Sequence, residues 1–315
     1  MNKLKENGWC VVEDVLSEEE VSHAIGVFWE WAEKILGLSR DDPRLMDTSN
    51  WFSTIHGIIK HYGVGQTEFM WHLRNHPNVL KIFRHIWKTP NLITSMDGLC
   101  VLRPPENSRR ATFKANRTWL HTDQTPETSS DMSIPATRWG AKCIQGAVNL
   151  YPSNEDDACF YVLDGSHRFH EDFFREFSHE WAKPPRGNFQ IMKPHHIQWF
   201  EDRGCKRTAV AVPAGSMTLW DSRLIHCGKP PSANRSHAGR WRLTAFICMT
   251  PTSTCKAETR KKRKRWVREN RTTSHWPGKP KLNPKRPREM HMGNIPYREV
   301  EPFIPESLRL VDGSK

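Results

Sequence analysis

The stretch TWLHTDQTP, residues 118–126, sets a histidine and an aspartate two positions apart, behind an aromatic and an apolar residue, in a segment without helical periodicity. In an extended chain, side chains at i and i+2 leave the same face and can close on one point. His121 and Asp123 therefore form a two-ligand clip. Alone, such a pair is more often a surface ion pair or a turn cap, so its reading depends on the rest of the chain.

From about Leu92 the sequence breaks into short apolar runs punctuated by Gly, Pro, Asn and Asp: LITSMDGLCVLRPP, CIQGAVNLYP, ACFYVLDGS, RTAVAVPAGS, MTLWDSRLIHCG and WRLTAFICMTP. Each reads as strand bounded by turn signals, and their cadence predicts a sandwich, jelly roll or barrel. HEDFFREFSHEWAK reads as a helix-bearing insert between strands. Upstream, Ser17 and Glu20 make a capping box, followed by Val21, Ile25, Phe28, Trp29, Ala32, Ile35 and Leu36 at helical spacing. A second helical stretch, Glu68 to Trp87, is interrupted by Pro77 in the manner of a first-turn proline. These features predict helical residues 1–90, a β core at 91–255 and an extension at 256–315.

A third ligand candidate, His226, ends the strand-like run WDSRLIHCGKPP. A strand returning beside the one that carries His121 would complete a triangle of two imidazoles and a carboxylate. Such a set leaves one face of an octahedral metal open, which suits non-heme Fe(II) taking a chelating co-substrate and O2. A closed zinc site more often uses cysteine or a fourth protein ligand. In GRWRLTAF, Arg240, Arg242 and Thr244 share one strand face. A guanidinium fork beside a hydroxyl suits the far carboxylate of 2-oxoglutarate.

The chain has 315 residues and a net charge of +12. Residues 256–288 carry 14 Lys or Arg against 2 Glu, a surplus equal to that whole net charge, so the remaining chain is balanced. RKKRKR within it reads as a solvated face, a nuclear import signal or a phosphate-contacting strip, with Trp266 and Trp276 able to stack on bases or to dock the segment. RTTSHWPGKP argues for docking, with His275 and Trp276 returning over the pocket to shield it. No apolar run reaches membrane-spanning length and the first residues lack a signal-peptide core, so a soluble intracellular protein, cytoplasmic or nuclear and without membrane association, is expected. The eight cysteines form no C-x-x-C pair; Cys159 and Cys248 read as core.

Taken in order, His121-x-Asp123, GAVNLYPSNEDDACFYVLDGSHRFH, PAGSMTLWDSRLIHCG and RWRLTAFICMTP, with NGWCVVEDVLSEEEV at the start, resemble the phytanoyl-CoA dioxygenase-like family of Fe(II)- and 2-oxoglutarate-dependent oxygenases. The resemblance spans about residues 7 to 250. It implies a double-stranded β-helix (jelly-roll or cupin-like) core, mainly β with flanking N-terminal helices. It also implies iron held by His121, Asp123 and His226 and a co-substrate anchored by Arg242 with Thr244. The gap from His226 to Arg242 is longer than in the common pattern, which leaves Arg240 or Arg235 as alternative anchors. Asp123 favours hydroxylation, since related halogenases lack that carboxylate. Products would be hydroxylated substrate, succinate and CO2.

Around this centre, Gln124, Gln145 and Asn149 are candidates to orient a ligand, and Trp220, in alternation with Thr218, to wall the pocket. Arg103 reads equally as substrate contact and loop charge; His167 and His170 read as structural turn residues. Two other classes stay open: a degenerate scaffold that binds nucleic acid through residues 256–288, and a cupin-like zinc or nickel protein without redox chemistry. The substrate, small or macromolecular, is unspecified, with the basic segment favouring an anionic one. Oligomeric state has no signature in the sequence.

Overall fold

Eight strands alternate between two facing antiparallel sheets, and that alternation is what builds the site. A computed structural model describes residues 2–107, 119–132, 134, 136–180, 188–288 and 297–314. The larger sheet runs, edge to edge, Trp9–Val12, Met217–Asp221, Ile144–Asn149, Arg242–Phe246, Leu99–Leu102 and Ile58–Ile59. The smaller runs Gln190–Ile191, His121–Thr122, His226–Lys229, Cys159–Asp164 and Lys206–Val210. Along the chain, Leu99–Leu102, His121–Thr122, Ile144–Asn149 and Cys159–Asp164 take the sheets in turn. Lys206–Val210, Met217–Asp221, His226–Lys229 and Arg242–Phe246 then repeat the alternation. This is the double-stranded β-helix expected, with helices flanking it.

The predicted strands form where the sequence placed them, but three of the runs, LITSMDGLCVLRPP, MTLWDSRLIHCG and WRLTAFICMTP, are two strands each; in MTLWDSRLIHCG they are separated by a turn in which Leu224 N donates to Asp221 O. That turn moves the chain from the large sheet to the small one. Met249–Pro251 pairs with Leu92–Thr94 as a separate ribbon.

The helix Glu18–Leu36 begins at the predicted capping box, where Ser17 Oγ accepts from Glu20 N and Glu20 returns the bond to Ser17 N. Such a cap stabilises by about 1 kcal/mol. Gly37 ends the helix at φ 69°, a left-handed turn that glycine adopts without steric cost. Glu68–Asn75 and Pro77–Trp87 are the second helical stretch, broken at Pro77 as read. Phe28, Trp29, Phe69 and Phe83 from these helices join Val148, Leu219, Leu243 and Ala245 of the large sheet in the main core. All eight cysteines are free and buried. No helix among the described residues is long and apolar enough to cross a membrane.

The basic segment is built into this body. In the helix Ala257–Arg268, Arg263, Trp266 and Val267 face inward at i, i+3 and i+4, and Trp266 and Val267 enter the main core with Leu310 and Val311. Arg263 is fully buried and donates to the carbonyls of Thr94, Pro277 and Val311. Much of the remaining charge is paired: Lys262 with Glu258, Lys264 with Asp312, Arg265 with Glu269, Lys279 with Asp131 and Lys285 with Glu299. Trp276 packs with Ile134, Cys143 and Cys248.

Arg263→Leu leaves three buried carbonyls without a donor, at about 1–3 kcal/mol each. Urea denaturation is expected to show a loss of at least about 3 kcal/mol, whereas Lys261→Ala, on the exposed side of the same helix, is expected to stay within about 0.5 kcal/mol.

Candidate metal centre

His121 and His226 are register partners across the small sheet, the only pair joining their strands. Directly opposite residues have Cβ atoms about 5 Å apart, and the two rings lie 4.4 Å apart between centroids. Asp123 follows the end of its short strand, where its backbone N–H donates to Ser222 O at 3.0 Å. Its carboxylate therefore turns back to the same point. Oδ2 lies 3.5 Å from His121 Nε2 and 3.4 Å from His226 Nε2, with all three residues buried.

The protonation pattern is legible from the partners. His121 Nδ1 faces Trp119 O at 3.1 Å and His226 Nδ1 faces Leu224 O at 3.0 Å. A carbonyl only accepts, so each Nδ1 carries hydrogen, which leaves Nε2 of each ring as the nitrogen that can offer a lone pair. Burial, aided by His121, pushes His226 down to about 3, keeping it neutral. Burial alone would raise the Asp123 carboxyl, but positive charge on the neighbouring His275 and His121 outweighs it and holds it well below the usual carboxylate range. Two lone pairs and an ionised carboxylate thus converge in a buried space, an arrangement that fits a divalent cation and is unfavourable without a positive charge.

The surrounding candidates divide cleanly. Gln145 Nε2 donates to Asp123 Oδ2 at 2.8 Å. Trp220, its register partner on the next strand, points Nε1–H at His226 Nε2 at 3.1 Å. Gln124 is a structural amide: its Oε1 accepts from Lys142 N and Ser222 Oγ and its Nε2 donates to Ser129 Oγ. His170 bonds the Gln124 carbonyl and so braces the backbone after Asp123, while His167 holds Lys5 O. Asn149 donates to Ser153 Oγ, and Thr218 lies buried with its hydroxyl unpartnered among the described residues. Arg103 is a loop clamp, donating to the carbonyls of Leu45 and Asp47.

Among the three arginines the ion pairs discriminate. Arg235 binds Glu106 and Asp157, and Arg240 binds Asp157. Arg242 is buried on a central strand, with Nη1 lacking any partner among the described residues and Nε 3.5 Å from Thr244 Oγ1. Nη1 lies 3.5 Å from where a Cβ on Gly228 would sit. Gly228 is two residues beyond His226 on the same strand face, a span of about 7 Å. A buried guanidinium with one nitrogen unpartnered among the described residues is therefore held against the strand that carries His226.

Sequence reasoning missed the ring stack that backs the triad. Trp119 lies between His56 and His121, at centroid distances of 4.3 and 4.6 Å, and Phe189 packs on His121 at 4.7 Å. Trp119 carried a signal, sitting two residues before His121 in an extended run; His56, in a distant loop, carried none. A second His–His–carboxylate grouping, Glu180, His195 and His196, is an ion cluster. Lys193 Nζ already holds Glu180 at 2.7 Å, and His196 Nδ1 accepts from Lys193 N, which places the hydrogen of the neutral ring on Nε2.

The comparisons with known proteins agree with this geometry. The A. versicolor protein "Ava biosynthesis cluster protein O" is 26% identical over 258 residues, covering 79% of this chain and 76% of its own. A crystal structure of EctD from S. alaskensis with bound Fe superposes with a TM-score of 0.52 at 16% identity, covering 81% of this chain and 76% of that one.

The triad predicts metal-dependent stabilisation, worth about 2.7 kcal/mol at a hundred times the dissociation constant. Thermal melts with and without Fe(II) under anaerobic conditions are expected to show an upward shift for the wild type and none for Asp123→Ala. Residues 4–241 match the phytanoyl-CoA dioxygenase (PhyH) family, and the chain belongs to that family of Fe(II)- and 2-oxoglutarate-dependent oxygenases.

Proposed function

We propose that this chain hydroxylates a small organic substrate, with iron held by His121 Nε2, Asp123 Oδ2 and His226 Nε2 and 2-oxoglutarate anchored at its far carboxylate by Arg242 and Thr244. The observation that carries the reading is the convergence of three electron-rich ligand atoms, with Arg242, its Nη1 buried and unpartnered among the described residues, packed against Gly228 two residues along the strand from His226. Iron, 2-oxoglutarate and O2 together supply the oxidising chemistry, which consumes one keto acid and one O2 and yields succinate, CO2 and a hydroxylated product.

The chain's own residues bind, orient and exclude water. Gln145 holds the Asp123 carboxylate in place through Oδ2. Trp119 and Phe189 cover the two sides of His121 and fix its ring plane. Trp220 donates its indole N–H to His226 Nε2 in this structure, a bond that gives way when a metal takes that lone pair. Arg242 offers a charged fork to the carboxylate remote from the metal, and charge-assisted hydrogen bonds of this kind contribute about 1.5–3 kcal/mol.

A small-molecule substrate is supported by the name of the A. versicolor relative, a biosynthesis cluster protein. The alternative of nucleic-acid binding through residues 256–288 finds no support: Trp266 and Trp276, the two tryptophans that could stack on bases, are buried in packing within the chain.

Anaerobic reconstitution with Fe(II) and 2-oxoglutarate, followed by admission of O2, is expected to release succinate from the wild type and none from Asp123→Ala. Succinate release that persists in Asp123→Ala would refute the assigned ligand set. Arg242→Ala is expected to raise the 2-oxoglutarate KM by roughly 100-fold, the equivalent of about 2.7 kcal/mol.

A further inference from the structure

Beyond residue 241, where the family match ends, one side chain reaches back to the triad. His275 is carried by the C-terminal segment, and its Nε2 is buried without a hydrogen-bond partner among the described residues. That nitrogen lies 4.0 Å from Asp123 Oδ1. The two oxygens of Asp123 are therefore in different surroundings. Oδ2 faces the two histidine Nε2 atoms and Gln145, whereas Oδ1 faces His275.

The position of His275 is fixed from both sides. Thr273 N donates to Met96 O at 2.8 Å, and Met96 N donates to Thr273 Oγ1 at 3.1 Å. Ser274 N donates to Lys281 O at 2.8 Å. Trp276 is sealed in the cluster with Ile134, Cys143 and Cys248. An imidazole between two such anchors keeps its Nε2 directed at Asp123, and a buried nitrogen left unpaired is costly unless a partner arrives.

We propose that His275 is a positioning residue for the metal: its Nε2–H donates to Asp123 Oδ1 when the ion is bound, which leaves Oδ2 alone to coordinate and stops the carboxylate from rotating into a two-oxygen grip. The inference rests on the triad being the iron site. Metal-ligating carboxylates are held by such outer hydrogen bonds, and loss of one lowers metal affinity 10- to 100-fold. A C-terminal segment outside the family match would then tune a centre that lies within it.

The test is equilibrium dialysis of Fe(II) under anaerobic conditions against the full-length wild type, Asp123→Ala, His275→Ala and His275→Gln, with circular dichroism confirming that each is folded. Gln supplies an N–H near the position of Nε2. The expected result is a 10- to 100-fold weaker affinity in His275→Ala, with most of the loss restored in His275→Gln and no high-affinity binding in Asp123→Ala. Wild-type affinity in His275→Ala, or His275→Gln as weak as His275→Ala, would overturn the role given to His275. Asp123→Ala that binds as the wild type does would overturn the triad reading itself, and the two failures are thereby separated.

Discussion

A single cross-strand pairing, His121 opposite His226, is the constraint on which the site depends. It brings two imidazoles from distant parts of the chain to one point. Because side chains alternate along a strand, a slip of one residue would send both rings to the opposite face. The flanking contacts hold the register: His226–Lys229 pairs with Cys159–Asp164 along its length, and His121–Thr122 is backed by Gln190–Ile191. Asp123 completes the set because the chain leaves the strand immediately after Thr122, whose hydroxyl bonds Ser222 O while Asp123 N bonds the same carbonyl. The fold thus tolerates a concentration of lone pairs and negative charge that a cation relieves.

The large sheet supplies the complementary charge. Arg242 sits on a strand flanked on both sides, so its guanidinium is desolvated and its backbone rigid. Arg235 and Arg240 lie in the preceding loop, where Asp157 and Glu106 neutralise them. Acids from two other segments tie that loop down, and among the described residues Arg242 alone of the three keeps a buried, unpartnered nitrogen. The sheets divide accordingly: the small one carries His121 and His226, with Asp123 just past the end of its strand, and the large one carries Arg242, Gln145 and Trp220.

The strands and the triad were legible because period-two alternation and turn residues are local signals. His121, Asp123 and His226 each sit at the end of a readable run. The pairing of Arg235 and Arg240, as against Arg242, was not legible, since their acid partners lie 78 or more positions away. Residues 256–288 were the hardest segment. Charge content suggested a solvated face, yet the docking stripe Arg263, Trp266 and Val267 occupies one side of the helix and the charges the other. The stack of His56 on Trp119 depends on a loop meeting a strand far away in sequence, and no periodicity announces it.

Anomalous diffraction at the iron edge, from crystals grown anaerobically with Fe(II), locates the bound metal. One strong peak is expected within about 2.2 Å, a usual metal–nitrogen or metal–oxygen length, of His121 Nε2, Asp123 Oδ2 and His226 Nε2. A peak at Glu180, His195 and His196 instead, with the triad empty, would contradict the ligand assignment.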